Sequence, residues 1–196
     1  MKNTFNVLGV AGSTRQGSYS TRALKIALEY AKKQGAEVRL LELNRIVLPL
    51  YDPSAIASEE VERAAEAIGW ADAFILASPD YHGSISGALK NFLDHFYEEF
   101  AGKVFGYIVA SHEKGLTVMD QMRTAVRQCY GWSIPYGVSI NGPQDFTGHE
   151  TVNARLSSRL RMMARDLVIY GRLIRDQFMH DFGSNEPDTF AAHYRP

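Results

Sequence analysis

Residues Val7 to Leu24 read VLGVAGSTRQGSYSTRAL: an apolar run, a turn of small and hydroxyl-bearing residues, then the start of an amphipathic stretch. A strand that turns directly into a helix presents the helix's free N–H groups at the strand's carboxyl end, where an anion is held well. The same alternation recurs along the chain. FNVLGVA, EVRLLEL, AFILASP, KVFGYIVAS and IPYGVSI read as strands, and the segments starting at Ser20, Ser58, Ser84, Leu116 and Thr151 read as helices. The runs from Ala73 and Lys103 are almost continuously apolar, as strands covered on both faces are. The pattern predicts an α/β domain with a parallel sheet, doubly wound by helices.

The length of 196 residues suits one such domain. Twenty-one basic against 22 acidic residues leave a net charge of -1, which gives no field for gathering nucleic acid or anionic lipid. Neither is expected as a partner. The single cysteine, Cys129, has no internal disulfide partner, and at the end of a helical-looking segment it reads as a small buried residue rather than a nucleophile. The chain opens with Met-Lys-Asn-Thr rather than an apolar signal core, and no uncharged apolar run approaches the roughly 18 to 20 residues that span a bilayer. A cytoplasmic protein without membrane contact is the expectation. His149-Glu150 lacks the second histidine of H-E-x-x-H, no Cys/His cluster exists, and no G-x-S-x-G occurs. No metal ligand and no catalytic nucleophile or acid/base pair is therefore expected.

Two apolar stripes stand out. Ile85, Leu89, Phe92, Leu93, Phe96 and Phe100 read as one continuous helical face, a candidate contact with a second subunit. Leu156, Leu160, Met163, Leu167, Tyr170 and Ile174 read as the core face of the last helix, with Arg161, Arg165 and Arg172 on its solvated side. From Asp176 the periodicity is lost. One domain is expected over residues 1–175 and a C-terminal tail over 176–196, with Phe178, Phe182 and Phe190 as its anchors.

The opening turn narrows by elimination. Gly12-Ser13-Thr14-Arg15-Gln16-Gly17 has the glycine spacing of a Walker loop, but Ser18 and Tyr19 stand where that loop needs Lys and Ser/Thr. The dinucleotide fingerprint G-x-G-x-x-G fails too, because Ala11 occupies the place of close approach to a pyrophosphate. What remains are the hydroxyls of Ser13, Thr14, Ser18 and Ser20, the Arg15 guanidinium and the helix N–H groups, which suit one terminal phosphate without a metal. A Ser-rich helix start with an exposed arginine uses the same residues, so a second loop matters. SPDYHGSISGALKNFLDHF, Ser78 to Phe96, again follows a strand: Pro79 stiffens it, Tyr81 offers an aromatic wall, Gly83 permits close approach, and Ser84 is placed to cap the next helix. A flat heteroaromatic ring is bound by such an edge.

These two stretches, with LPLYD at Leu48 to Asp52 between them, resemble the NADPH-dependent FMN reductases of flavodoxin-like fold, a family that includes bacterial quinone, azo-dye and chromate reductases. The resemblance implies a three-layer sandwich with a five-stranded parallel sheet in the order 2-1-3-4-5. It implies FMN and NADPH or NADH as cofactors, with hydride passing from NAD(P)H through FMN to free flavin, quinones, azo or nitro compounds. Homodimers or homotetramers are implied as well.

Carried onto this chain, the first loop binds the FMN 5′-phosphate through Ser13, Arg15, Ser18 and Ser20, with Thr14 and Tyr19 in the same turn. The second loop surrounds the isoalloxazine with Pro79, Asp80, Tyr81, His82, Gly83 and Ser84. A third, after the strand ending near Ala110, closes over it with Ser111, His112 and Gly115. Arg15 alternatively reads the 2′-phosphate of NADPH. The family usually has Asn where Ser20 and His82 stand, and the third loop, SHEKG, lacks the glycine-rich run of relatives. No side-chain acid or base is demanded where a flavin does the chemistry. A flavodoxin-type electron carrier and a flavin-binding regulatory module stay open on the same residues, although carriers are usually more acidic than this chain.

Overall fold

The computed structural model describes residues 4–149 and 151–195. Met1 to Asn3 of the opening segment and Glu150 of the His-Glu pair lie outside the described residues. Strands β1 (Phe5–Ala11), β2 (Ala36–Glu42), β3 (Ala73–Pro79), β4 (Val104–Ala110), β5 (Trp132–Ser133) and β6 (Val138–Ile140) alternate with helices. The helices are α1 (Tyr19–Lys33), α2 (Glu59–Trp70), α3 (Gly87–Asp94), α4 (Leu116–Gln128), α5 (Gly142–Asp145) and α6 (Ala154–Gly183). The strands pair in parallel in the expected order β2-β1-β3-β4-β5, with β6 also on β4.

Every residue of β1 and β3 is buried, which is why these runs lack polar alternation. Val7, Ile75 and Ile108 lie under α1 and α6, and Leu8, Leu76 and Val109 under α2, α3 and α4. Two apolar layers thus clamp the sheet, and the connections leave its carboxyl end open between them. No helix among the described residues is long and apolar enough to cross a membrane.

Four expectations need correction. The fifth strand is two pieces, because Pro135 has no N–H to give a ladder and the chain steps away before returning at Val138. The long Phe stripe is not one helix: α3 stops at Asp94 and a 3-10 turn follows at Glu98–Phe100. The break lets Phe100 pack edge-on against Phe74 (5.3 Å) and Phe105 (5.5 Å), which stack on each other at 4.6 Å. Leu89, Phe92, Leu93, Phe96 and Phe100 are buried in the chain's own core rather than offered to a second subunit. Ser86, not Ser84, caps α3, its Oγ accepting from Leu89 N (3.2 Å).

The last correction concerns the segment from Asp176, where the helix runs on to Gly183 and a 3-10 turn at Phe190–Tyr194 folds back. Phe178 and Phe190 join Tyr194 and Tyr130 in an aromatic cluster, with ring centroids 5.3 to 6.2 Å apart. Helical periodicity is hidden here because the contacts are aromatic and made to Tyr130 and the 190–194 turn, not a stripe against the sheet. On the solvated face of α6, Arg165 pairs with Asp166 (2.6 Å) and Arg172 donates to Gly35 O (2.9 Å).

Candidate functional site

The carboxyl ends of β1, β3 and β4 meet at one crevice, the place where open parallel sheets hold ligands. A cavity of about 310 Å³ opens there. Ser13, Arg15, Ser18, Tyr19 and Ser20 line it from the first loop, Pro79, Asp80 and Tyr81 from the second, and Ser111 and His112 from the third. Gly83 and Gly115 line an adjoining shelf of about 740 Å³ that shares Asp80, Ser111 and His112 with the cavity. Three of the expected residues stand apart. Thr14 faces a separate hollow beside Leu48 and Asn91. His82 and Ser84 line neither the cavity nor the shelf.

Local chemistry explains the first loop. Ser18 caps α1, accepting from Thr21 N (3.2 Å) and donating to Thr21 Oγ1 (2.8 Å), with Ser20 Oγ 3.2 Å away. Ser13 Oγ accepts from Arg15 N (3.2 Å) and so holds the turn closed. The N–H groups of Tyr19 and Ser20 have no partner among the described residues, and the first turn of α1 contains no acid. The helix therefore offers a positive end that the chain itself does not neutralise. Arg15 is exposed at the mouth.

The second loop is a tight hairpin. Tyr81 and Ser84 exchange backbone hydrogen bonds of 3.1 Å, and the two residues between them both have positive φ, 57° at His82 and 75° at Gly83. That is the pattern of a two-residue turn matched to strand twist, and histidine, like asparagine, is among the side chains that tolerate it. Asp80 binds the loops together: Oδ1 accepts from Gly83 N (2.8 Å) and Oδ2 from Ser111 Oγ (2.8 Å). Both carboxylate oxygens already have donors from the chain, so its negative charge is partly screened from the cavity. Ser86 reaches further, donating to Gly12 O (2.5 Å) and taking Ser78 Oγ on its own N–H (3.1 Å), which fixes the first loop to the second.

Three contributors were absent from the sequence reading: Arg22, Gly142 and Pro143. Arg22 lies over the Phe146 ring, 4.1 Å from its centroid, and donates to His149 O (2.5 Å) and Gly148 O. It staples the segment after β6 to the start of α1. Gly142 packs against the Tyr19 ring so closely that a Cβ would collide with it. A basic residue one turn into a helix whose first turn has no acid was the available signal for Arg22; nothing local marks Gly142 or Pro143.

The sequence profile described as NADPH-dependent FMN reductase matches residues 5–144, which contain all three loops. This chain belongs to that family. An NAD(P)H-dependent FMN reductase of Pseudomonas aeruginosa is 38% identical over 97 residues, 48% of this chain and 51% of that protein, so the match spans about half its length. An FMN-dependent NADPH-azoreductase of Staphylococcus saprophyticus is 27% identical over 191 residues, 91% of this chain and 95% of that protein. Among solved structures, the flavoenzyme NAD(P)H:(acceptor) oxidoreductase of Paracoccus denitrificans superposes with a TM-score of 0.73 at 19% identity, covering 87% of this chain and 98% of that one. The fold of this FMN reductase family member is flavodoxin-like, and membership implies FMN and NAD(P)H as cofactors.

Proposed function

We propose that the protein is an NAD(P)H oxidoreductase that holds FMN in the crevice and reduces small acceptors: free flavin, quinones, and azo or nitro compounds. The observation that carries this reading is the acid-free, serine-capped start of α1 opening into the cavity with Arg15 at its mouth. Ser13, Ser18 and Ser20 supply hydroxyls to a phosphate dianion, the Tyr19 and Ser20 amides supply N–H donors, and Arg15 supplies charge. Tyr81 and the Gly83 and Gly115 backbones border the shelf, where a flat ring finds an aromatic neighbour and close backbone approach.

FMN held in this crevice would supply the redox chemistry, accepting hydride equivalents from NAD(P)H for delivery to the acceptor. The chain's task is to bind, orient and exclude water. Asp80 keeps the second and third loops in register, and Arg22 holds the 142–149 segment against α1. The full-length likeness to an azoreductase supports azo compounds among the acceptors.

The test is a visible spectrum of the protein reconstituted with FMN, before and after anaerobic NADPH, followed by a quinone or an azo dye. Retained flavin absorbance that bleaches with NADPH and returns with acceptor is expected. Protein that keeps no flavin after reconstitution overturns the proposal. Steady NADPH oxidation with a quinone and no second protein separates a reductase from an electron carrier.

A further inference from the structure

Helix α6 runs for 30 residues, and Leu156, Leu160, Met163, Leu167 and Gly171 turn one side of it into the core. Both flanks are tied down as well. On one, Arg161 lies over the Tyr30 ring (5.6 Å from its centroid) and Arg172 holds Gly35 O. On the other, Arg159 donates to Gly137 O (2.9 Å) and Tyr136 Oη to Asp166 Oδ2 (2.5 Å). Between the flanks runs a strip that the chain leaves uncovered. Met162 is 46% exposed there, Ile169 36% and Leu173 64%. Steps of seven and four residues keep the three on one line down the helix. Tyr170, which the sequence pattern places on the core face, stands half exposed beside them.

The line goes on in steps of four and three residues, to Arg159 before Met162 and to Asp176 after Leu173. That is the 3.5-residue period of a helix packed lengthwise on another helix. Asp166 falls on the line too, but its bond to Tyr136 draws it aside towards the sheet edge. Charge is divided along the helix. Ala154 to Arg165 hold Arg155, Arg159, Arg161 and Arg165 and no acid, whereas Asp166 to Gly183 hold Asp166, Asp176 and Asp181 against Arg172 and Arg175. Two copies laid parallel set arginine against arginine; laid antiparallel, they set the basic half of each on the acidic half of the other. The groups at the ends of the line have capacity to spare. Asp176 Oδ1 takes both bonds from Arg175 (2.7 and 2.9 Å), Oδ2 takes none among the described residues, and Arg159 has only a carbonyl partner.

We propose that this strip is an interface with a second copy of the chain, packed antiparallel about a two-fold axis level with Leu167 and Val168. Met162 then meets Leu173 of the partner subunit, and Arg159 meets Asp176 of the partner subunit. The symmetry makes each contact twice, with Ile169 beside the axis. Exposed apolar rows of this kind mark contact surfaces, and the charges at both ends fix direction and register. No residue of α6 lines the flavin crevice, so the pairing holds whether or not FMN binds.

Thiol cross-linking of the FMN-reconstituted protein reads the register. Met162→Cys and Leu173→Cys proteins, mixed and oxidised, are expected to form a disulfide-linked dimer, because the two positions come within the roughly 7 Å between Cα atoms that a disulfide spans. Each alone is expected to stay unlinked, since like positions lie about 16 Å apart along the axis at about 1.5 Å per residue. Wild type, whose single Cys129 is buried, gives the background. Linkage of Met162→Cys to itself as readily as to Leu173→Cys, or no linkage in the mixture, overturns the proposal. In sedimentation equilibrium Leu173→Asp is expected to show half the wild-type mass, with a thermal midpoint within about 1 °C of wild type because the side chain is already exposed. An unchanged mass overturns the proposal as well.

Discussion

At the amino end of the sheet Lys103 donates to Ile68 O (2.8 Å), and Asp72 accepts from Asn6 N (2.8 Å) and from Arg175 (3.4 Å). At the carboxyl end the Tyr19 and Ser20 amides and the Arg15 guanidinium open onto a cavity. One end matches its polar groups to one another; the other leaves donors for something outside the chain. The same contrast separates two serine-capped helices: Ser58 is followed by three acids in the first turn of α2, and Ser18 by none in α1. Substitutions at the first end should therefore change folding, and those at the second should change flavin binding.

Lys103 gives the largest expected effect. Burial pushes its ammonium down to about 8, against the opposing pull of Asp72 and Glu99, while in the unfolded chain a lysine titrates near about 10.4. Between these values the unfolded chain binds more protons at this group than the native one, so the contribution of Lys103 to stability rises with pH, by roughly 2 kcal/mol from pH 8 to 10, while the Cys129 thiol, pushed up by burial, works against it in the same window. Tyr107, pushed up to about 12 by burial, acts in the opposite direction only above about pH 10, where the unfolded phenol ionises first. Lys103→Met should remove the rise in urea denaturation midpoints across this window and leave FMN affinity at pH 7.5 unaltered. A variant that keeps the rise shows that other groups produce it.

Arg15→Ala is the converse case. Its side chain makes no hydrogen bond or ion pair among the described residues, so the thermal midpoint should move by no more than about 1 °C. FMN affinity, followed by quenching of flavin fluorescence, should fall about tenfold, equivalent to ~1.4 kcal/mol. A lowered melting temperature with unchanged affinity would erase the distinction between the two ends.

The smallest effect is expected at His82. Asparagine suits a φ of 57° at least as well as histidine, so His82→Asn should gain about 0.5 kcal/mol or less in denaturant unfolding. Because His82 lines neither the cavity nor the shelf, FMN affinity should change less than twofold. A tenfold loss would show that the imidazole reaches the ligand.

The buried parallel strands and the serine-capped start of α1 were legible because each rests on a local rule: buried strands lose alternation, and helix starts carry their caps. The sheet order rested on the family resemblance instead. The end of α3 was not legible. No glycine or proline marks Asp94, and what stops the helix is the pull of Phe96 and Phe100 into the core beside Phe74 and Phe105. The cap moved two residues, from Ser84 to Ser86, because the Tyr81–Ser84 hairpin uses Ser84's backbone first. Arg22 and Gly142 escaped notice because they meet only in the fold, through contacts that span more than a hundred residues of chain.

The divided strand at Trp132–Ser133 and Val138–Ile140 has a consequence for how this protein behaves when crowded. An open β edge is a template on which another chain can add a strand, and the hazard grows with its length and flatness. Here one edge is cut into pieces of two and three residues, with the Arg159 guanidinium seated on Gly137 O, and the other, β2, bears Glu37, Arg39 and Glu42. Neither border gives a stray segment a long uncharged row to copy, so the sheet ends where the molecule ends.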